Sequence, residues 1–206
     1  MAARTGRAPS DSPAAGKLNM EALAVSFGLV ALAEIGDKTQ LLTLVLATRF
    51  RRPWPILGGI VTATLLNHLV AAGLGAWLGA NLQGPWLRWL VAMSFFALAV
   101  WAAIPDRLDE RDQPRQPRFG IFGATAIAFF IVEIGDKTQI ATAVLAAHYA
   151  ALLPVLAGTT LGLVAANLPV VFFGGQLTRW IEMKWLRWGA VLLSASLGIA
   201  ALLSTQ

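Results

Sequence analysis

The sequence predicts an all-α polytopic membrane protein, with six transmembrane helices arranged as two inverted three-helix repeats. Three observations predict this fold class. The chain is 57% hydrophobic and only 13% charged, whereas soluble domains usually carry about 25% charged residues. Six apolar segments are each long enough to cross a hydrocarbon core, which takes about 20 helical residues. The sequence EIGDKTQ occurs twice, at positions 34–40 and 133–139, an offset of 99 residues.

The predicted elements follow from the apolar segments and the polar stretches between them. Residues 1–19 are polar, with no apolar core of a signal peptide, and predict a disordered tail. The first repeat is expected over 20–104, a polar linker over 105–118, and the second repeat over 119–206. The six helices are expected near Glu21–Thr48, Pro55–Leu78, Trp86–Ile104, Phe119–Ala147, Leu152–Phe173 and Leu186–Leu203.

The two halves resemble each other beyond the repeated motif. Trp86–Trp89 (WLRW) recurs as Trp185–Trp188, and Pro55 matches Pro154, all at the same offset. Because each half contains an odd number of helices, the second half starts on the opposite side of the membrane. The two motifs are then related by a pseudo-twofold axis in the membrane plane. In transporters this architecture places the substrate site at the midplane.

The basic residues predict how the chain is oriented. The loops between helices 1 and 2, 3 and 4, and 5 and 6 carry ten lysines and arginines, and the other side carries four. The positive-inside rule therefore places the linker in the cytoplasm and both termini outside. The same bias accounts for the formal charge of +5. Since no basic patch alternates with exposed aromatics, we expect membrane lipid around the protein and no nucleic-acid partner.

Each motif places carboxylates and other oxygen donors in the middle of an apolar segment. Glutamate and aspartate at i and i+3 would share one helical face, which the glutamine extends. The predicted metal ligands are Glu34, Asp37, Gln40, Glu133, Asp136 and Gln139, supported by Lys38, Thr39, Lys137, Thr138, Asn67 and Asn167. Oxygen donors suit Mg²⁺, Ca²⁺ and Mn²⁺, whereas Zn²⁺ and Cu⁺ favour nitrogen or sulfur. The chain has no cysteine.

Charge in the membrane indicates function, with structural ion pairing as the alternative. Lys38 and Lys137 could pair with the glutamate four residues before them, or with partners across the repeat interface. Six central charges would cost roughly 15–20 kcal/mol if exposed to lipid, and purely structural ion pairs could be replaced by leucines at little loss. Four carboxylates and two lysines sum to −2, which one divalent cation neutralises. Gly36 and Gly135 could permit a local unwinding that frees carbonyl groups.

Polar residues outside the motifs are weaker signals. Asn67 and Asn167 could contribute ligands or form interhelical hydrogen bonds. His68 could relay protons, although a lone membrane histidine more often only forms a hydrogen bond. Gly58, Gly59, Gly73, Gly75 and Gly158 are expected to permit close helix packing rather than to bind phosphate.

Two copies of E-x-G-D-K-[TS] in a six-helix core resemble the family of bacterial manganese exporters of the MneA type, which also includes the Golgi and chloroplast calcium/manganese transporters. The resemblance covers nearly the whole chain apart from the tail and the linker. It implies export of Mn²⁺ or Ca²⁺ from the cytosol, in exchange for protons, across a bacterial inner membrane. It assigns the functional acids to Glu34, Asp37, Glu133 and Asp136.

The expected function is that of a secondary transporter that exports Mn²⁺ in exchange for protons, through a midplane carboxylate site shared by the two repeats. Glu34 and Glu133 are expected to carry the protons. The alternatives are a Ca²⁺/H⁺ antiporter and a passive divalent-cation channel. An intramembrane enzyme is disfavoured because no Ser/His or His/Glu catalytic set accompanies the acids. No cofactor is expected beyond the transported cation.

Overall fold

The computed structural model is all α-helical and describes residues 13–82, 84–104, 119–174 and 183–203. This part of the chain contains α1 (Pro13–Glu34), α2 (Lys38–Phe50), α3 (Pro53–Asn81), α4 (Pro85–Ala102), α5 (Gly120–Glu133), α6 (Lys137–Tyr149), α7 (Leu152–Phe173) and α8 (Met183–Leu203). The predicted linker and residues 1–12 of the predicted tail lie outside the described residues. The rest of that tail is helical, because α1 already begins at Pro13, a residue type that suits the first position of a helix.

Both motifs interrupt a helix that the sequence predicted to be continuous. The predicted helix Glu21–Thr48 divides into α1 and α2, and Phe119–Ala147 divides into α5 and α6. Gly36 and Gly135 have φ angles of +82° and +73°, a left-handed conformation that commonly ends helices. The prediction that glutamate and aspartate share one helical face is therefore wrong, and the alternative of a local unwinding at the glycines is confirmed.

Five of the described helices, namely α1, α3, α4, α7 and α8, are long and apolar enough to cross a membrane. The shorter apolar helix α5, together with α6, occupies the fourth predicted span. The other predicted helices end within three residues of the observed ones, and Leu152–Phe173 coincides with α7. The chain is thus an all-α, multi-pass membrane protein.

Each half places its second long helix against the interrupted helix of the other half. α3 packs along α5 and α6, and α7 packs along α1. In both pairs, residues further along one helix contact residues further along the other, so the two helices run parallel. The contacts are Gly59–Phe122, Asn67–Phe130 and Gly75–Ala143 for α3, and Gly158–Leu23 and Gly162–Phe27 for α7. α4 packs against α8, which brings the last described helix of each half together.

The helix backbones approach closely at these contacts because glycine has no side chain. A Cβ atom on Gly75 would lie 2.7 Å from the carbonyl carbon of Ala143, and one on Gly158 would lie 2.8 Å from the Cβ of Ser26. Small residues are favoured where membrane helices approach closely, because a side chain would hold the backbones apart. The expected packing role of Gly75 and Gly158 is confirmed, whereas that of Gly73 is wrong, because a Cβ there would meet nothing within 4 Å.

Two apolar clusters form the core, and α3 belongs to both. It contributes Ile56 and Ile60 to one cluster and Ala72 to the other. Between Ala63 and Ala71 its buried side chains are polar, and they are Thr64, Asn67 and His68. Polar groups in such a dry region are costly unless they find hydrogen-bond partners. The middle of α3 therefore needs polar partners, and the motifs provide them for Thr64 and Asn67.

Candidate metal centre

Each motif forms the same local structure, in which one helix ends, the chain turns through glycine and a second helix begins after aspartate. Asp37 caps α2, because its Oδ2 accepts hydrogen bonds from the N–H of Thr39 at 3.3 Å and from the Thr39 hydroxyl at 3.1 Å. Asp136 caps α6 in the same way, with both bonds from Thr138 at 3.2 Å. Aspartate is favoured at this position because its carboxylate satisfies N–H groups that the first helical turn leaves open.

The glutamines of the two motifs complete these caps. Oε1 of Gln40 accepts a hydrogen bond from the N–H of Gly36 at 2.8 Å, and Oε1 of Gln139 accepts one from Gly135 at 2.7 Å. Gln40 also donates to the carbonyl oxygen of Ala166 in α7, at 3.0 Å. Both amide oxygens predicted as metal ligands therefore serve the backbone here. Each keeps one lone pair that a cation could still use.

Two crossed ion pairs join the motifs. The ammonium group of Lys38 lies 3.2 Å from Oδ1 of Asp136, and Lys137 pairs with Oδ1 of Asp37. The sequence left two pairings open for these lysines, and the one across the repeat interface is confirmed. Each aspartate thus uses one oxygen for its own helix and the other for the lysine of the opposite motif. The two motifs consequently form one continuous buried region.

Glu133 is held by two side chains from α3. The hydroxyl of Thr64 donates to its Oε1 at 3.0 Å, and Nδ2 of Asn67 donates to its Oε2 at 3.0 Å. Asn67 also lies within hydrogen-bond distance of the carbonyl oxygen of Phe130, at 3.2 Å. Both carboxylate oxygens of Glu133 therefore have a neutral donor, and the expected interhelical hydrogen bond of Asn67 is confirmed.

Glu34 is held more loosely, and on one oxygen only. Its Oε1 accepts a hydrogen bond from Nδ2 of Asn167 in α7 at 3.1 Å, and it shares the single hydroxyl proton of Thr39 with Oδ2 of Asp37. Asn167 is fixed in turn by the hydroxyl of Thr43, which donates to its side-chain oxygen at 2.5 Å. Oε2 of Glu34 is buried and accepts no hydrogen bond from the described residues. This carboxylate oxygen is free to accept an incoming ligand.

The four motif acids are buried, each with at most 1% of its surface exposed. Across the described ranges, no three acidic or histidine side chains lie close enough together to hold a metal ion. The aspartates are instead neutralised by the lysines of the opposite motif. Carboxylate, hydroxyl and amide oxygens are the donors that hard divalent cations prefer. The residue types fit such a cation, whereas their present arrangement is not a preformed cage.

Sequence reasoning missed three contributors to this region, which are Thr43, Thr64 and the carbonyl group of Ala166. Thr43 and Thr142 match at the same offset as the motifs, so a longer self-alignment would have singled them out. Thr64 has no such signal, because the residue at the same offset in the second half is Leu163. A backbone carbonyl carries no sequence signal, since every residue has one.

His68 and Arg88 lie apart from the motifs. His68 is buried, and its Nδ1 lies 3.0 Å from the hydroxyl of Thr159 in α7, the hydrogen-bonded role that the sequence favoured. A cavity of about 350 Å³ lies at the ends of α3 and α6 and the beginning of α4, and its described lining includes no motif residue. Arg88, near the beginning of α4, is half-buried and lines this cavity.

Two stretches of the chain, residues 22–110 and 121–206, match a protein family described as divalent cation/proton antiporter GDT1. The chain belongs to the GDT1 family. A protein of Vibrio cholerae serotype O1 named "Putative manganese exporter" is 53% identical to it over 156 residues, which cover 75% of this chain and 77% of that protein. No solved structure matches this chain.

Membership of the GDT1 family confirms the resemblance drawn from the doubled motif. Each matched stretch contains one complete copy of that motif, as expected for a duplicated chain. The family assignment identifies this GDT1 protein as a membrane transporter of cations.

Proposed function

We propose that this GDT1 protein is a secondary transporter that exports Mn²⁺ from the cytosol in exchange for protons. The observation that carries the proposal is the pair of crossed ion pairs, Lys38–Asp136 and Lys137–Asp37, which joins the acids of both halves into one buried region. Four carboxylates and two lysines sum to −2 when all are ionised, so one divalent cation would neutralise the region. A cation bound there would contact both halves.

The choice of metal rests on the donor atoms and on the relative from Vibrio cholerae. The region offers oxygen donors, the chain has no cysteine, and oxygen donors suit Mn²⁺ and Ca²⁺ better than Zn²⁺. Mn²⁺ is preferred here because the relative is named as a manganese exporter. Ca²⁺ is the second candidate, since the same donors suit it.

The helix packing supports two inverted repeats of three spans. Only two residues, Ala150 and Ala151, connect α6 to α7. In an inverted repeat this short connection is a turn at the membrane surface, so α7 runs in the opposite direction to α6. Because α7 runs parallel to α1, that reversal makes α5 and α6 run opposite to α1 and α2. The two motifs would then face each other about a pseudo-twofold axis near the midplane, with the cation shared or handed over between the repeats.

The glutamates are the proposed proton carriers, because their described partners are neutral whereas the aspartates face lysines. Glu133 is bonded to Thr64 and Asn67. Hydroxyl and amide groups can also accept a hydrogen bond, so they can adjust to a protonated acid. Exporting a divalent cation against about 100 mV costs about 4.6 kcal/mol, at 2.3 per elementary charge. Exchange for two protons would move no net charge.

The proposed location is the inner membrane of a bacterium, with the linker 105–118 cytoplasmic and both termini outside. The ten-to-four distribution of basic residues supports this orientation.

Flux measurements in sealed proteoliposomes test the proposal. Mn²⁺ flux should follow an imposed pH gradient and collapse when a proton ionophore dissipates it, whereas a passive channel would conduct without the gradient. Glu34→Gln and Glu133→Gln should each lose flux and its pH dependence, because the amide cannot carry the exchanged proton. Glu21→Gln is the matched control, since Glu21 is an exposed acid on the same helix as Glu34. Transport of Zn²⁺ in preference to both Mn²⁺ and Ca²⁺ would contradict the proposed site.

A further inference from the structure

The two crossed ion pairs differ in their access to water. The side chain of Lys38 is 25% exposed and that of Lys137 is 7% exposed, while both partner aspartates are buried. An ammonium group leaves an ion pair more readily where water can solvate it, because an unsolvated charge is costly. Lys38 can therefore leave Asp136 more easily than Lys137 can leave Asp37.

The surroundings of Lys137 also oppose its movement. Lys137 lines a cavity of about 10 Å³, which has room for about one water, together with Gly36 and Arg187. An ammonium displaced into this cavity would approach the positive charge of Arg187 and be repelled by it. The pair between Lys137 and Asp37 is thus the fixed member of the two.

The oxygen atoms available to a cation also identify the pair between Lys38 and Asp136 as the one that can open. Oε2 of Glu34 accepts no hydrogen bond from the described residues. Both oxygens of Glu133 already accept a neutral donor, and Oδ2 of each aspartate caps its own helix. A cation at Glu34 that takes an aspartate as its second carboxylate ligand would replace the lysine at that aspartate's Oδ1, since one positive charge there substitutes for another. Asp136 is the aspartate whose lysine can move.

We propose that Lys38 is a tethered cation that occupies Asp136 between transport events and is displaced towards water when the transported divalent cation binds, while Lys137 stays on Asp37. This inference rests on the proposed function, because it describes how the same site fills and empties. An ammonium group and a divalent cation would alternate at Oδ1 of Asp136. The buried aspartate would then never lack a counter-ion, which is the costly state, and the lysine's return would assist release.

Quantitative lysine labelling of the wild-type protein tests this displacement. The purified protein in detergent is treated briefly with an amine-acylating reagent, with Mn²⁺ or with KCl of equal ionic strength, and each lysine is quantified by mass spectrometry. Mn²⁺ should raise the labelling of Lys38 about fivefold, the factor expected for release from a partly exposed ion pair. Lys137 should not change. Lys17, an exposed lysine on α1, is the internal control for reagent and salt. In Asp136→Asn, Lys38 should already label at the higher level without Mn²⁺.

Thermal unfolding with and without Mn²⁺ separates the two ways in which the inference could fail. If Mn²⁺ raises the unfolding temperature but labelling of Lys38 stays constant, the tethered cation is refuted and the proposed transport site stands. If labelling rises at Lys137 instead, the assignment of the mobile lysine is refuted. If Mn²⁺ and Ca²⁺ neither stabilise the protein nor change any lysine, both the inference and the proposed site fail. Tighter Mn²⁺ binding in Lys38→Gln, but not in Lys17→Gln, would support the displacement independently.

Discussion

Replacing Gly75 by alanine should separate α3 from α6 and thereby disturb the candidate site from a distance. The new Cβ would lie 2.7 Å from the carbonyl carbon of Ala143, whereas ordinary contacts begin at 3.4 Å, so the two helices must move apart by at least 0.7 Å. The obstacle is backbone, which cannot rotate aside. Overpacking of this kind typically costs about 1–3 kcal/mol. Gly75 is two helical turns from Asn67, so the same shift would loosen the hydrogen bond to Glu133.

Gly73→Ala provides the matched control for this prediction. It lies on the same helix, and a Cβ there would meet nothing within 4 Å. Both substitutions gain the same helix propensity, about 1 kcal/mol, so the difference between the two variants isolates the clash. Gly75→Ala should unfold at a lower temperature in detergent than Gly73→Ala and should transport less Mn²⁺ per folded molecule. Equal unfolding temperatures would refute the close α3–α6 contact and the reasoning built on it.

Two further predictions concern the acids and the topology. Asp37→Asn and Asp136→Asn should each lower Mn²⁺ transport by about 100-fold, because loss of even an outer partner of a metal site typically costs about 10–100-fold. Full activity in either variant, measured beside Glu21→Gln in proteoliposomes, would exclude a site shared by both motifs. Single cysteines introduced at Gln113 and Gln206 should be labelled from opposite sides of intact cells, because an odd number of spans separates them. Labelling of both from the same side would contradict the three-span repeat.

The helix breaks show how far local sequence signals reach. Gly36 followed by Asp37 is a helix end followed by a helix start, since glycine favours the left-handed terminal position and aspartate the N-cap. The long apolar runs on either side favoured one continuous helix instead. In the structure the glycine conformation and the aspartate cap are both formed, at Gly36–Asp37 and again at Gly135–Asp136. The signal for the break was thus present within the motif itself.

The sequence by itself determined the membrane character, the duplication and the identity of the buried acids, because hydropathy and repeated letters are properties of the chain. Only the tertiary structure decided which groups meet. Lys38 reaches Asp136 rather than Glu34, and Asn67 and Asn167 each bind the glutamate of the opposite half. These partners are 66 to 133 residues apart. Residue spacing describes neighbours within a helix, whereas these pairings depend on how the helices of the two halves pack against each other, with Asn67 on α3 and Asn167 on α7. The close approach that glycine allows between helix backbones therefore fixes the partners of the motif acids.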